Sequence, residues 1–67
     1  MRWEYLLVQD EGDERFYINR IRYDRPTPFA DYLNGLGSEG WEMVNCCSYM
    51  TDDRWAFQYV FKRVVSA

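Results

Sequence analysis

Cys46 and Cys47 carry the most reactive side chains in this chain of 67 residues, and two adjacent thiols could serve redox exchange or soft-metal binding. Either use needs company. A reactive thiolate wants a cation, a helix N-terminus or a metal beside it, and the flanking Val44-Asn45 and Ser48-Tyr49 supply none of these. The chain has no histidine and no second cysteine pair to complete a ligand set. Neighbouring strand residues also point to opposite faces, so the two thiols are poorly placed to bridge. Packing within a strand is the simpler reading, and neither a metal nor a cofactor is expected.

Glu39 and Glu42 flank Gly40-Trp41 and are the only other pair resembling an acid and a base. Such a pair needs unequal environments and a pocket between its members. Solvation of Glu39 and pairing of Glu42 with Arg63 account for both without catalysis, so no enzyme is expected. Arg15, Arg20, Arg22 and Arg25, interleaved with Tyr17 and Tyr23, form one basic, aromatic stretch. Aromatic sheet faces can stack the bases of single strands, which makes Arg20, Arg22 and Tyr23 the candidate nucleic-acid contacts. The net charge of −3 and the pI near 4.7 oppose that reading. Trp3, Trp41, Trp55, Phe57, Tyr59 and Phe61 could line a ligand pocket, yet aromatics at alternating strand positions ordinarily build a core.

The elements that must position these residues follow from the pattern. Trp3 to Gln9 is a strand with apolar groups on both faces, Asp10 to Glu14 is a polar loop around Gly12, and Arg15 to Tyr23 is a second strand. A three-residue loop, Glu11 to Asp13, sets Glu4 against Arg20, Leu6 against Ile18, Val8 against Phe16 and Trp3 against Ile21. Pro26 and Pro28 stop the strand. A helix of about nine residues follows, with Thr27 as N-cap, Pro28 in the first turn, Asp31 near the positive end of the dipole, and Phe29, Leu33 and Leu36 as its apolar stripe.

Gly37 is the expected left-handed C-cap and Gly40 a second turning point, so Gly37, Gly40 and Trp41 make the corner that brings the chain back onto the sheet. Trp41 to Met50 and Arg54 to Val65 then form a hairpin around Asp52 and Asp53. Its register sets Val44 against Phe61, Cys46 against Tyr59, Ser48 against Phe57, Met50 against Trp55 and Glu42 against Arg63. The outer face of that hairpin holds Met43, Tyr49 and Val60. One domain over residues 1–67 results: an α+β fold of ββαββ order, an antiparallel sheet with one helix packed on one face.

So short a chain buries only about 60% of its unfolded surface and relies on staples or partners. With 48% hydrophobic and 19% aromatic residues, association is the expected supplement, with a homodimer favoured. No apolar run approaches the roughly 18 residues of a membrane span, and the first residues lack the pattern of a signal peptide. The expectation is a reduced, cytoplasmic protein.

Three blocks resemble a family of small, mostly bacterial proteins, the domain-of-unknown-function family four-one-seven-seven. They are Trp3-Glu4-Tyr5-x-x-Val8, Leu33-Asn34-x-Leu36-Gly37-x-Glu39-Gly40-Trp41-Glu42-x-Val44, and Phe61-Lys62-Arg63. The resemblance spans most of the chain and implies the fold; it brings no activity, substrate or cofactor. Where this family commonly has a polar residue, the chain has Leu6, which implies a more apolar outer sheet face; where it has a helix former, the chain has Gly35. Leu6, Met43, Tyr49 and Val60 are therefore the candidate interaction surface. A non-catalytic interaction and oligomerisation module is the function the sequence favours, against a single-strand nucleic-acid binder working through the Arg20, Arg22 and Tyr23 strand. The latter requires affinity for single-stranded oligonucleotides that falls steeply with salt; a salt-titrated binding assay with no such slope dismisses it.

Overall fold

The computed structural model describes residues 2–12, 15–51 and 53–65. Asp13 and Glu14 of the expected loop and Asp52 of the expected hairpin tip lie outside the described residues, as does Met1. The elements are β1 (Trp3–Asp10), β2 (Phe16–Ile18), β3 (Ile21–Tyr23), α1 (Phe29–Ser38), β4 (Glu42–Thr51) and β5 (Arg54–Val64). The α+β class and the single helix on an antiparallel sheet are as expected. The sheet has five strands in the order β3-β2-β1-β5-β4, so the first and last strands meet at its centre and α1 carries the chain from one edge to the other.

The expected second strand is two. Asn19 and Arg20 both adopt left-handed backbone, φ 50° and 68°, which is the conformation of a tight hairpin turn whose twist suits the strands on either side. Asparagine tolerates that region better than most residues. Asn19 is also tied to β1 twice, its N–H donating to the Leu7 carbonyl at 2.8 Å and its Oδ1 accepting from the Leu7 N–H at 3.0 Å. The short β2 and β3 pair with each other around this turn, Ile18 against Ile21 and Phe16 against Tyr23.

The first hairpin is consequently displaced from its expected register. Val8 pairs with Ile18, Gln9 with Tyr17 and Asp10 with Phe16, two positions away from the pairing drawn for a three-residue loop. The connection spans residues 11–15, closed by Glu11 N–H to the Arg15 carbonyl at 2.9 Å, with Gly12 at φ 76°. Glu4 and Trp3 find their partners on β5, opposite Arg63 and Val64. In this register Val8 lies opposite Ile18 and diagonal to Phe16 on the face the helix covers, and Val8 and Phe16 are both fully buried.

Phe16 anchors the layer above. It meets Phe29 and Tyr32 of α1 edge-on, with ring centroids 6.2 and 5.9 Å apart, and Phe29 lies 5.4 Å from Tyr59 of β5. Such aromatic pairs contribute about 0.5–1.5 kcal/mol each beyond the area they bury. Leu6, Val8, Phe16, Leu36 and Phe61 are the buried core, with Ile18, Phe29, Tyr32, Leu33, Trp41 and Tyr59 packed around them. The helix thus uses the expected stripe, extended by Tyr32.

Both helix ends differ in detail from expectation. Pro28, not Thr27, is the N-cap, in extended conformation and with no side-chain cap bond; Thr27 Oγ1 donates to the Arg25 carbonyl at 3.5 Å instead. At the other end Gly37 remains helical and Gly40 is the left-handed residue, φ 90°. Trp41 N–H donates to the Leu36 carbonyl and Gly40 N–H to the Gly37 carbonyl, both at 3.0 Å. These are the paired bonds of a Schellman motif, with Trp41 and Leu36 making its apolar contact in the core. The corner expected from Gly37, Gly40 and Trp41 is present, with its left-handed residue moved three positions along.

In the second hairpin Cys46, Ser48 and Met50 face Tyr59, Phe57 and Trp55 as expected. A bulge between Met43 and Asn45 breaks the rest: Met43, not Val44, pairs with Phe61, and Glu42 pairs with Lys62, not Arg63. Gly40 of the corner and Gly35 of the helix interior then make opposite predictions. Gly40→Ala should cost about 1–2 kcal/mol, because an L side chain is strained at that φ. Gly35→Ala, in a helix interior with nothing within 4 Å of the added carbon, should stabilise by about 0.5–1 kcal/mol. Urea unfolding of the two variants checks both; equal effects would refute the assignment of the cap.

Candidate functional site

Arg63 organises the corner. Its Nε donates to Glu4 Oε1, its Nη1 donates to the Glu39 carbonyl at 3.0 Å, and its guanidinium lies over the Trp41 ring at 4.2 Å. One side chain thus joins β1, the end of α1 and β5. A planar guanidinium can do this because it donates in its plane while stacking through its face. An open cleft of about 310 Å³ adjoins it, lined by Glu4, Glu39, Arg63, Val64 and Val65. Of the groups that sequence singled out for chemistry, Glu39 lines this cleft, while Glu42 and the two cysteines are not among its lining residues. Glu42 stands across from Lys62 instead.

Cys46 and Cys47 are both free and exposed in the middle of β4. Cys46 is on the helix side opposite Tyr59, and Cys47 is on the outer side opposite Gln58. Among the described residues no group of three His, Cys, Asp or Glu side chains stands close enough to hold a metal ion.

The basic stretch is also divided. Arg22 pairs across from Tyr17 and Tyr23 from Phe16, so these neighbours face opposite sides of the sheet, while Arg20 sits in the turn. Arg25 is drawn into the body, its Nε donating to Asp10 Oδ2 at 2.7 Å and its guanidinium lying 5.0 Å above Phe29.

The four residues expected to form one interaction surface are separated. Leu6 is a buried core residue beneath the helix and has no outer exposure to offer, because alternation from Val8 places it on the covered face. Met43 is brought to that same helix side by the bulge, opposite Phe61. Only Tyr49 and Val60 lie on the outer face. Tyr49 is engaged there: its hydroxyl donates to Glu11 Oε2 at 3.1 Å and accepts from Gln9 Nε2 at 3.4 Å, tying the second hairpin to the first.

The apolar surface lies elsewhere. On the helix side, past the start of the helix, Met50, Trp55 and Phe57 are 56%, 65% and 44% exposed. On the outer side Trp3, Tyr5 and Val64 are exposed, with the Lys62 ammonium 4.4 Å over the Trp3 ring. Sequence reasoning assigned Trp55 and Phe57 to packing against Met50 and Ser48, which is correct for the pair but leaves their outer surfaces uncovered. The available signal was length: a helix of ten residues cannot cover strands of ten and eleven.

Beside them β4 forms one edge of the sheet. From Met43 to Thr51 it carries no charge, proline or glycine. Charged residues, proline and short length are the usual devices that blunt an edge. The opposite edge has them: β3 is three residues long, contains Arg22, and runs into Asp24, Arg25 and Pro26.

No protein-family model, curated protein or solved structure matches the chain. Among the described residues no helix is long and apolar enough to cross a membrane.

Three tyrosines are held above their ordinary pKa near 10. Burial raises all three; beyond it, the bond to Glu11 raises Tyr49, Glu39 raises Tyr32, and Cys46 raises Tyr59. A phenol with a raised folded-state pKa contributes stability that is complete below the unfolded value and is lost as pH rises through the folded one. Stability to urea should therefore decline above about pH 10, and Tyr49→Phe should make the decline shallower. A Tyr49→Phe profile parallel to that of the parent would remove the Tyr49 contribution.

Proposed function

We infer that this chain is a non-catalytic protein-interaction and oligomerisation module, bacterial and cytoplasmic, that works as a homodimer. One observation carries the reading: the β4–β5 hairpin runs past the helix with Met50, Trp55 and Phe57 uncovered beside an unblunted edge strand. A buried aromatic side chain removes about 150–250 Å² from water, and at about 25 cal/mol per Å² even partial burial of Trp55 and Phe57 is worth a few kcal/mol. A small domain has few other sources of stability of that size. The separated chemistry of the cysteines, the two glutamates and the arginines gives a catalytic or nucleic-acid role no comparable support.

Sedimentation velocity between about 1 and 100 μM should show reversible association, with an apparent mass rising above the 8.2 kDa of one chain. Trp55→Ser should weaken it about tenfold, equivalent to about 1.4 kcal/mol. A single 8.2 kDa species throughout this range would overturn the homodimer.

A further inference from the structure

The geometry points to β4 itself as the seam, joined to β4 of a second copy about a two-fold axis through Ser48, so that two five-stranded sheets become one of ten strands. This inference rests on the oligomerisation reading and specifies its partner and register.

The backbone of β4 sets the register. Thr51 pairs with Arg54 across a connection of two residues, and a connection that short requires both hydrogen bonds to run between those two residues. In an antiparallel ladder the hydrogen-bonded positions alternate. Thr51, Tyr49, Cys47 and Asn45 therefore turn their N–H and C=O groups toward β5. Met50, Ser48 and Cys46 turn theirs outward, away from every strand among the described residues. Beyond Asn45 the bulge interrupts the pattern, so the regular part of the open edge holds three outward residues with Ser48 at their centre.

An array symmetric about its middle residue is complementary to a copy of itself rotated by 180°. Antiparallel pairing about Ser48 sets Ser48 against Ser48, Cys46 against Met50 and Met50 against Cys46, and uses every outward N–H and C=O of the regular segment. The side chains agree. Cys46 and Met50 share the helix side and meet as an apolar pair, while Asn45 meets Thr51 on the outer side. Small residues at 46, 47 and 48 let the two backbones approach, and the paired segment carries no charge to set one copy against the other despite a net charge of −3 on each. The uncovered Met50, Trp55 and Phe57 of the two copies then line one apolar band between two helices.

Two measurements on the full chain test this. Ser48 is exposed, so Ser48→Lys is compatible with folding, and it places two ammonium groups together at the axis. It should weaken dimerisation at least tenfold by sedimentation, while Tyr5→Lys, on the outer face and remote from β4, should leave it unchanged. Separately, Ser48→Cys in a chain whose Cys46 and Cys47 are replaced by serine sets two thiols on residues about 5.5 Å apart at Cα, within disulfide range. With copper(II)–phenanthroline as oxidant, two thiols should give up two protons and two electrons and form one intermolecular bond, whereas the parent chain crosslinks slowly because Cys47 faces Tyr49 of the other copy.

A dimer that survives Ser48→Lys but not Tyr5→Lys would overturn the β4 seam and leave the oligomerisation reading intact. Rapid crosslinking of the parent through Cys47 would overturn the Ser48 register. A parent chain that stays monomeric removes the homodimer reading and the seam together.

Discussion

A ten-residue helix is about 15 Å long, whereas a strand of ten or eleven residues runs about 33–37 Å. This mismatch governs the molecule. The chain affords one helix, and the helix settles where side chains from three strands converge: Val8 of β1, Phe16 of β2, and Phe61 with Tyr59 of β5. What lies beyond that contact is sheet without a second layer. The dimensions of 43 × 21 × 18 Å record the result, a covered body with a hairpin extending from it. An aromatic-rich sequence in such a shape keeps large apolar groups in water, and association is the physical means of removing them.

The position of the helix is enforced from both ends by interactions of different kind. At its start, Arg25 lies over Phe29 while holding Asp10, so the chain leaving β3 is pinned to β1 before the first turn forms. At its end, the Gly40 cap reverses the chain and Arg63 gathers the Glu39 carbonyl, Glu4 and the Trp41 ring. The partly exposed ion pairs in these clusters contribute modestly by themselves, since water and salt screen them. Their effect is geometric, in that a donor which also stacks on a ring allows few orientations of the elements it joins. The central β1–β5 ladder, eight pairs from Trp3–Val64 to Asp10–Phe57, lets these fixings act on one rigid sheet.

Errors in the sequence reading cluster where two local rules competed. Arg15 to Tyr23 has strand composition throughout, yet Asn19-Arg20 turns back, because the Asn19 side chain can satisfy the Leu7 backbone and end the pairing there. Leu6 looked like an outer apolar residue when compared with a family pattern, but its alternation with Val8 on one strand already placed both on the same face. The second hairpin was legible from its turn as far as Asn45, since one tight connection propagates register through a period-two ladder. It failed beyond the bulge, a feature that composition does not announce.

Sequence by itself determined the α+β class, the single amphipathic helix with its Phe29, Leu33 and Leu36 stripe, the glycine-tryptophan corner and the register around the second turn. These depend on periodicity and on backbone chemistry within a few residues. Only the tertiary structure decided that β1 and β5 meet at the centre, that Leu6 and Met43 face the helix side while Tyr49 and Val60 do not, and that β4 is an open edge. Those are outcomes of which distant segments pack together, decided by the fit of Val8 and Phe16 beneath a helix too short to cover the whole sheet.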